Sequence, residues 1–242
     1  MTEKIGRLNP LLEVLRSSPG RVEKILVDRE FRGGRLGEAL ALARKARVLV
    51  QYVPRATLDR VLPHHQGFVA ALAARAYEGV EDILAGAGER PFLLLLDEVE
   101  DPQNLGAILR SAEGAGVDGV VLPERRSAGV TDTVLTVSAG AAEHVRIARV
   151  VNLARTMEDL KKRGLWLVGA DKEGQGAWHE FDYTQAVGIV LGSEGRGLRP
   201  LVRTTCDRVL SLPQRGRVSS LNVGAAAAVF LYEVVRQRAA RR

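Results

Sequence analysis

Two kinds of apolar periodicity alternate along this chain. Short runs that are apolar at consecutive or alternate positions predict strands at 24–28 (KILVD), 47–53 (RVLVQYV) and 67–73 (GFVAALA). Between them, apolar residues spaced by three and four predict helices at 10–17, 36–45 and 56–62. A second alternation starts at Pro91. Its predicted strands are 92–97, 119–123, 145–150, 165–171, 187–192 and 208–213, with helices at 105–114, 133–143, 153–162 and 200–206 and a closing helix after Asn222. Several strands of this second set are apolar on both faces, as in a parallel sheet covered by helices on each side. The pattern therefore predicts two α/β units, the second with a doubly covered parallel sheet.

The stretch between them, YEGVEDILAGAGERP, holds a short amphipathic run, two glycines and a proline. It suggests a linker at 76–90 between a domain at 1–75 and a domain at 91–242. Charge changes at the same place. Residues 1–75 carry 14 Lys and Arg against 7 Asp and Glu, while residues 76–242 carry 21 against 22, so the whole +6 excess belongs to the first domain. A basic module on a near-neutral one points to a polyanion partner, and nucleic acid is the usual one. Cys206 is the only cysteine, which excludes an intrachain disulfide and a thiolate zinc cluster; the expected role is packing in a helix. No apolar run approaches the roughly 18 residues of a membrane span, and no apolar core follows the N-terminal charges, so a cytoplasmic protein without membrane contact is expected.

Ligands of doubly wound sheets bind beyond the carboxyl ends of the strands. Three loops there combine glycines with polar side chains: QNLGAILRSAEGAG after the strand at 92–97, SEGRGL after 187–192, and QRGRVSSLNVG after 208–213. None fits a dinucleotide fingerprint, a P-loop or a nucleophile elbow. His64 and His65 are adjacent, which sends their side chains to opposite sides of an extended segment and argues against a metal site.

Taken together, DPQNLGAILRSAEGAGVDGVVLP, IVLGSEGRGL and LSLPQRGRVSSLNVGAAAAVFLYE resemble the three motifs of the TrmH-type ribose 2'-O-methyltransferases of the SPOUT superfamily. The likeness spans 92–238. GRLNPLLEVLRS, KILVDRE and HQGF also resemble the small ribosomal-protein-like RNA-binding domain of the bacterial large-subunit rRNA guanosine 2'-O-methyltransferases. The resemblance implies a trefoil-knotted C-terminal α/β domain, S-adenosylmethionine as methyl donor, and a homodimer that completes its site across the interface; no metal is expected, from the lone cysteine and the divergent histidines. The implied substrate is a guanosine ribose in large-subunit rRNA. A tRNA methyltransferase and a non-catalytic RNA-binding or ribosome-assembly factor remain as alternatives.

Carried over by position, the resemblance gives Asn104, Arg110, Glu194, Ser220 and Asn222 the catalytic roles. It gives Leu191, Gly192, Gly195, Leu212, Pro213, Ser219 and Leu221 the donor site. Arg110, two turns into the helix that follows Asn104, is expected roughly on the same face. A guanidinium is a poor proton acceptor, so its expected part is electrostatic, on an RNA phosphate and the developing alkoxide. Ser220 and Asn222 are expected to cap the closing helix as well as face the ligands. The stripe Val223, Ala226, Ala227, Phe230, Leu231, Val234 and Val235 is available either to a dimer interface or to the domain's own core. Gly224 and Gln214 depart from the serine and methionine common in the family.

Overall fold

The computed structural model describes residues 3–31, 34–217 and 220–240. The chain divides into two units, Met1–Ala76 with Val130–His144, and Tyr77–Gly129 with Val145–Arg242.

The first unit begins with β1 (Glu3–Ile5), α1 (Leu8–Ser17), a 3-10 turn (Pro19–Arg21) and β2 (Val22–Asp28), followed by α2 (Leu36–Lys45), β3 (Leu49–Val53), α3 (Arg55–Val61) and β4 (Phe68–Leu72). The sheet order is β1-β4-β2-β3, with β4 antiparallel to both neighbours and β3 parallel to β2. β2 is an interior strand, and Ile25 to Asp28 are buried in succession, so both its faces are covered there. α3 seals one of them, with Leu58 packed on Leu26 and Val69. Gly67, at φ +82°, leaves the space that the Phe31 ring fills. His65 is a structural residue: its Nε2 faces Asp59 at 3.0 Å and its Nδ1 accepts the Gly67 amide at 3.0 Å. No cluster able to hold a metal exists among the described residues.

The second unit opens with α4 (Val80–Gly86), β5 (Phe92–Leu96), α5 (Pro102–Gly114) and β6 (Gly119–Pro123). The chain then returns to the first unit for α6 (Asp132–Val137) and a 3-10 turn (Ala141–Glu143). β7 (Ile147–Val150), α7 (Leu153–Lys162), β8 (Trp166–Ala170), β9 (Gly176–Ala177), β10 (Val187–Leu191), α8 (Pro200–Thr205), β11 (Arg208–Ser211) and α9 (Val223–Ala239) complete it. Its sheet runs β7-β6-β5-β10-β8-β11-β9, and every pairing is parallel. Leu93, Leu95, Val121, Leu167 and Val190 face a core shared with α4, α7 and α8. α5 and α9 pack on each other, and α9 lies on β10. No helix among the described residues is long and apolar enough to cross a membrane.

Three local differences from the sequence pattern have clear causes. The helix expected at 133–143 breaks because Ala139 and Gly140 adopt left-handed conformations, φ 54° and 93°, and Gly140 lies directly against the Glu13 side chain of α1. Its second half is tied into the first unit by ion pairs and a hydrogen bond: both carboxylate oxygens of Glu143 accept from Arg21 Nη1 at 2.7 Å, Arg75 donates to the Ala142 carbonyl, and His144 meets Glu13 at 3.0 Å. The stretch expected as a linker is folded into the second unit, since α4 buries Ile83 in its core and Glu78 bridges to Ala148. Cys206 sits just beyond the last turn of α8, where burial pushes its thiol up to about 12.

Candidate active site

β5, β10, β8 and β11 are neighbours, and their carboxyl ends deliver the three glycine-rich loops to one place. The loop after β10 is a tight hairpin. Ser193 N donates to Gly197 O at 3.1 Å and Gly197 N to Ser193 O at 3.0 Å, with Gly195 and Gly197 at φ +88° and +70°. Gly192 lies so close under this hairpin that a Cβ would stand 2.1 Å from the carbonyl of Gly197. Only glycine permits that approach.

Two buried carboxylates at the ends of strands lock the hairpin from behind. Asp97, fully buried after β5, accepts from Arg199 N at 2.9 Å and Arg199 Nε at 2.8 Å. Hydrogen bonding to Asp97 raises the Arg199 guanidinium further above its usual value. Asp171, after β8, accepts from Leu198 N at 3.4 Å and pairs with Arg203 at 2.9 Å. Neither clamp stands out in the sequence, because the partners of the first are 102 positions apart; an acid directly after an apolar strand is the one available hint.

In front of the hairpin opens a cavity of about 480 Å³, well within the range of small-molecule sites. Leu191, Gly192, Glu194, Gly195, Leu212, Ser220 and Leu221 all line it, and Phe230 of α9 also contributes to the wall. Pro213 is exposed and does not line it; its neighbours Leu212 and Gln214 do. Ser219 lies outside the described residues. A second chamber of about 270 Å³ shares Ser193, Glu194, Arg196 and Val223 with the first and adds Glu98, Glu100, Asp101 and Asn104. Arg196, at the hairpin tip, is the one cation lining both chambers among the described residues. The sequence reading did not single it out.

A relay of hydrogen bonds joins the three loops at the shared wall. Asn222 caps α9, its Oδ1 accepting Gly224 N at 2.9 Å and Ala225 N at 3.4 Å. That leaves its Nδ2 to donate to Asn104 Oδ1 at 2.7 Å, and Asn104 Nδ2 donates in turn to Glu194 Oε2 at 2.7 Å. Each amide is thereby oriented by the next, and one carboxylate oxygen of Glu194 is held. Ser220 takes no part in the cap and faces the cavity. Gly224 stands where a Cβ would meet Asn222 Oδ1 at 3.1 Å and Ala107 Cβ at 3.2 Å, so α9 starts hard against α5.

Arg110 is not on the face of Asn104. Six residues along a helix turn the side chain about 120° away; Asn104 is buried, whereas Arg110 is exposed and lines neither chamber. The apolar stripe of α9 is spent on the domain's own core, with Val223, Ala227, Phe230, Leu231 and Val234 buried. The large apolar side chains that α9 leaves exposed are Val229 and Tyr232, at 38% and 51%, and the Tyr232 hydroxyl lies against Gly114 of α5.

Residues 8–78 match the substrate-binding domain of RNA 2'-O ribose methyltransferases, and residues 91–232 match the SpoU rRNA methylase family. YacO of Bacillus subtilis, named for the TrmH family of tRNA/rRNA methyltransferases, is 42% identical over 97% of this chain and 95% of its own length. The SpoU methyltransferase AviRb of Streptomyces viridochromogenes, solved with AdoMet, superposes with a TM-score of 0.82 at 28% identity, covering 98% of this chain and 90% of its own. A structure described for 2-OH methylation of C/U34 on tRNA aligns with a TM-score of 0.57 at 26% identity, covering all of itself but 64% of this chain. The chain belongs to the SpoU rRNA methylase family, with the family's substrate-binding domain ahead of its methyltransferase domain.

Proposed function

We propose that this RNA methyltransferase carries the methyl group of S-adenosylmethionine to a ribose 2'-hydroxyl of large-subunit ribosomal RNA, at a guanosine. The observation that carries the reading is the Asn222–Asn104–Glu194 relay standing between two adjoining chambers. The larger chamber fits the donor. Leu191, Leu212, Leu221 and Phe230 offer apolar cover for an adenosyl group, Gly192 lets backbone approach it, and Glu194 and Glu173 supply negative charge for a cationic ligand. When bound, S-adenosylmethionine supplies a methyl group on a sulfonium, already activated for in-line displacement by oxygen.

The protein's work is then to orient the hydroxyl and manage its proton. Glu194 reaches both chambers, and the relay holds its Oε2 toward Asn104. Its other oxygen can accept the 2'-hydroxyl hydrogen and receive the proton as the new O–C bond forms. Arg196, set between the left-handed glycines of the hairpin, offers a cation in cis to the RNA backbone at the mouth of an otherwise acidic chamber. Glu98 of that chamber is held by Arg126 and Arg199, which leaves Glu100 and Asp101 as carboxylate acceptors for the N–H donors of a guanine edge. Ribosomal rather than transfer RNA is favoured because the structure described for tRNA methylation aligns over its whole length yet covers 64% of this chain, leaving part of the chain without a counterpart in it.

The chain works as a homodimer. Val229 and Tyr232 on α9 continue onto α5 through Gly114, forming an exposed apolar face with Arg110 beside it. Pairing of two such faces brings Arg110 to the partner's acceptor chamber, where it clamps phosphate and stabilises the alkoxide. The insertion of β10 between β5 and β8 supports the trefoil knot that goes with this reading. The test is labelled methyl transfer to unmodified large-subunit rRNA and to total tRNA, followed by digestion to nucleosides. Label in 2'-O-methylguanosine from the rRNA is expected; label in the tRNA alone overturns the assignment.

A further inference from the structure

The outer strand of the N-terminal sheet carries a surface that neither the relay nor the chambers use. β3 ends the order β1-β4-β2-β3, so one of its edges has no strand beside it among the described residues. None of its five residues is fully buried, and Leu49 and Tyr52 are 54% and 52% exposed. A bare edge strand is usually protected by charge. Leu49 and Tyr52, three positions apart on the strand, point to opposite faces, so each face of the edge carries one of them; the charge beside the strand has one sign. Residues 44–60, which contain β3, hold five cations, Arg44, Lys45, Arg47, Arg55 and Arg60, against a single acid, Asp59. Asp59 is already engaged, 3.0 Å from His65. Lys24 adds a sixth cation on the Leu49 face of the sheet, in register with Leu49 across the β2–β3 ladder, whereas Tyr52 lies on the other face.

No ion pair satisfies any of these six cations among the described residues, in contrast to Arg16 and Arg21 of the same unit, which are paired with Glu13, Glu38, Glu3 and Glu143. Arg47 also holds a left-handed backbone, φ 57°, a conformation unfavourable for a long side chain and one found preferentially where function requires it. Arg29 Nε donates to the Tyr52 carbonyl at 3.2 Å, bringing one more guanidinium to the edge.

We propose that this edge is a docking surface for a single-stranded or looped segment of the RNA substrate, away from the acceptor nucleotide. A base stacks on Tyr52 while phosphates lie on Arg47 and Arg55. An exposed aromatic ring on a strand flanked along the chain by unpaired cations is the chemistry that holds single-stranded nucleic acid without reading its sequence. Added strands of protein, the other occupants open edges attract, bind through backbone amides and have no use for six unpaired cations. The proposal rests on RNA as the substrate, but its test needs no methyl transfer.

The experiment measures affinity of the full-length chain, without donor, for a fluorescent single-stranded RNA of about 16 nucleotides and for an A-form duplex of the same sequence. Tyr52→Ala should weaken single-strand binding about tenfold, and Tyr52→Phe should retain it. Arg47→Gln with Arg55→Gln should lower the slope of log K against log salt by about 1.4, as expected for two lost phosphate contacts on a single strand. Donor affinity and melting temperature should stay at wild-type values in all three, which separates a lost contact from a lost fold. Unchanged affinity in Tyr52→Ala, or an unchanged slope in the double variant, overturns the proposal. So does a Tyr52→Ala effect confined to self-association in sedimentation, which would make the edge a protein contact. If RNA binding follows the prediction while no RNA is methylated, the docking surface stands and the proposed reaction fails.

Discussion

Replacing Gly192 by alanine tests the donor cavity through one atom. The added Cβ would lie 2.1 Å from the carbon and oxygen of the Gly197 carbonyl and 2.4 Å from Leu198 N, where ordinary contact begins near 3.4 Å. All three are backbone atoms and cannot rotate aside, so the hairpin must move by about 1 Å or more. Its two Ser193–Gly197 hydrogen bonds are the first to give way, at a net cost of about 2 kcal/mol for the pair. The wall formed by Glu194 and Gly195 moves with them. Donor affinity measured by titration calorimetry should fall about 30-fold, the equivalent of that energy. Gly195→Ala is the control: nothing lies within 4 Å of its Cβ, but φ is +88°, so it should cost about 1 kcal/mol of stability and leave donor affinity within a few-fold. Wild-type donor affinity in Gly192→Ala would refute the close-approach reasoning.

Other expectations follow from the same contacts. Asn104→Ala removes two 2.7 Å bonds, one of them to a carboxylate, and should lower single-turnover methyl transfer about 100-fold while changing donor affinity little. Asn104→Asp should be no better, since it sets a second carboxylate against Glu194. Asp97→Asn weakens the clamp on Arg199; a loss of about 2 kcal/mol should appear as a melting temperature lower by about 5 °C in calorimetry. Asp132 is raised to about 6 by burial and then by nearby Glu3, and its Oδ1 has no hydrogen-bond partner. A carboxyl raised in the folded state binds more protons there than when unfolded between pH 3.8 and about 6, so its contribution to stability falls as pH rises through that window. After allowance for solvent screening the effect is about 1 kcal/mol, and it should show as a difference between wild type and Asp132→Asn in chemical denaturation at pH 5 and pH 8. Equal differences at both pH values would contradict it.

The elements with strong periodicity were legible from the sequence. α2, β6 and α7 occupy the residues the pattern assigns them, because their apolar spacing matches the face they bury. The two shortest strands, β1 and β9, were not, since two or three residues carry no period. α6 ends early because of a left-handed break that depends on Glu13, more than 120 residues before it. The amphipathic run in α4 was visible, but its burial against β6 depends on Gly119, whose missing side chain leaves room for Ile83.

At the site, the loops were legible and their wiring was not. Glycines and polar residues after strands mark the three loops, yet Asn104, Glu194 and Asn222 meet only because β10 enters the sheet between β5 and β8. The position of Arg110 was misjudged by counting turns without the angle: at about 100° per residue, six positions do not return to the same face. The same correction turns Arg110 from a neighbour of Asn104 into a side chain free to serve another protomer.

Subunit mixing tests the central claim, a donor and acceptor site built on one chain and completed by Arg110 of a second. Arg110→Ala and Asn104→Ala, each nearly inactive alone, are unfolded together, refolded together and assayed for methyl transfer to large-subunit rRNA. Random pairing leaves one intact site in each mixed dimer, so recovery of about a quarter of wild-type activity is predicted. No recovery, from a mixture shown by mass to contain mixed dimers, would contradict the account and require Arg110 to act in its own chain.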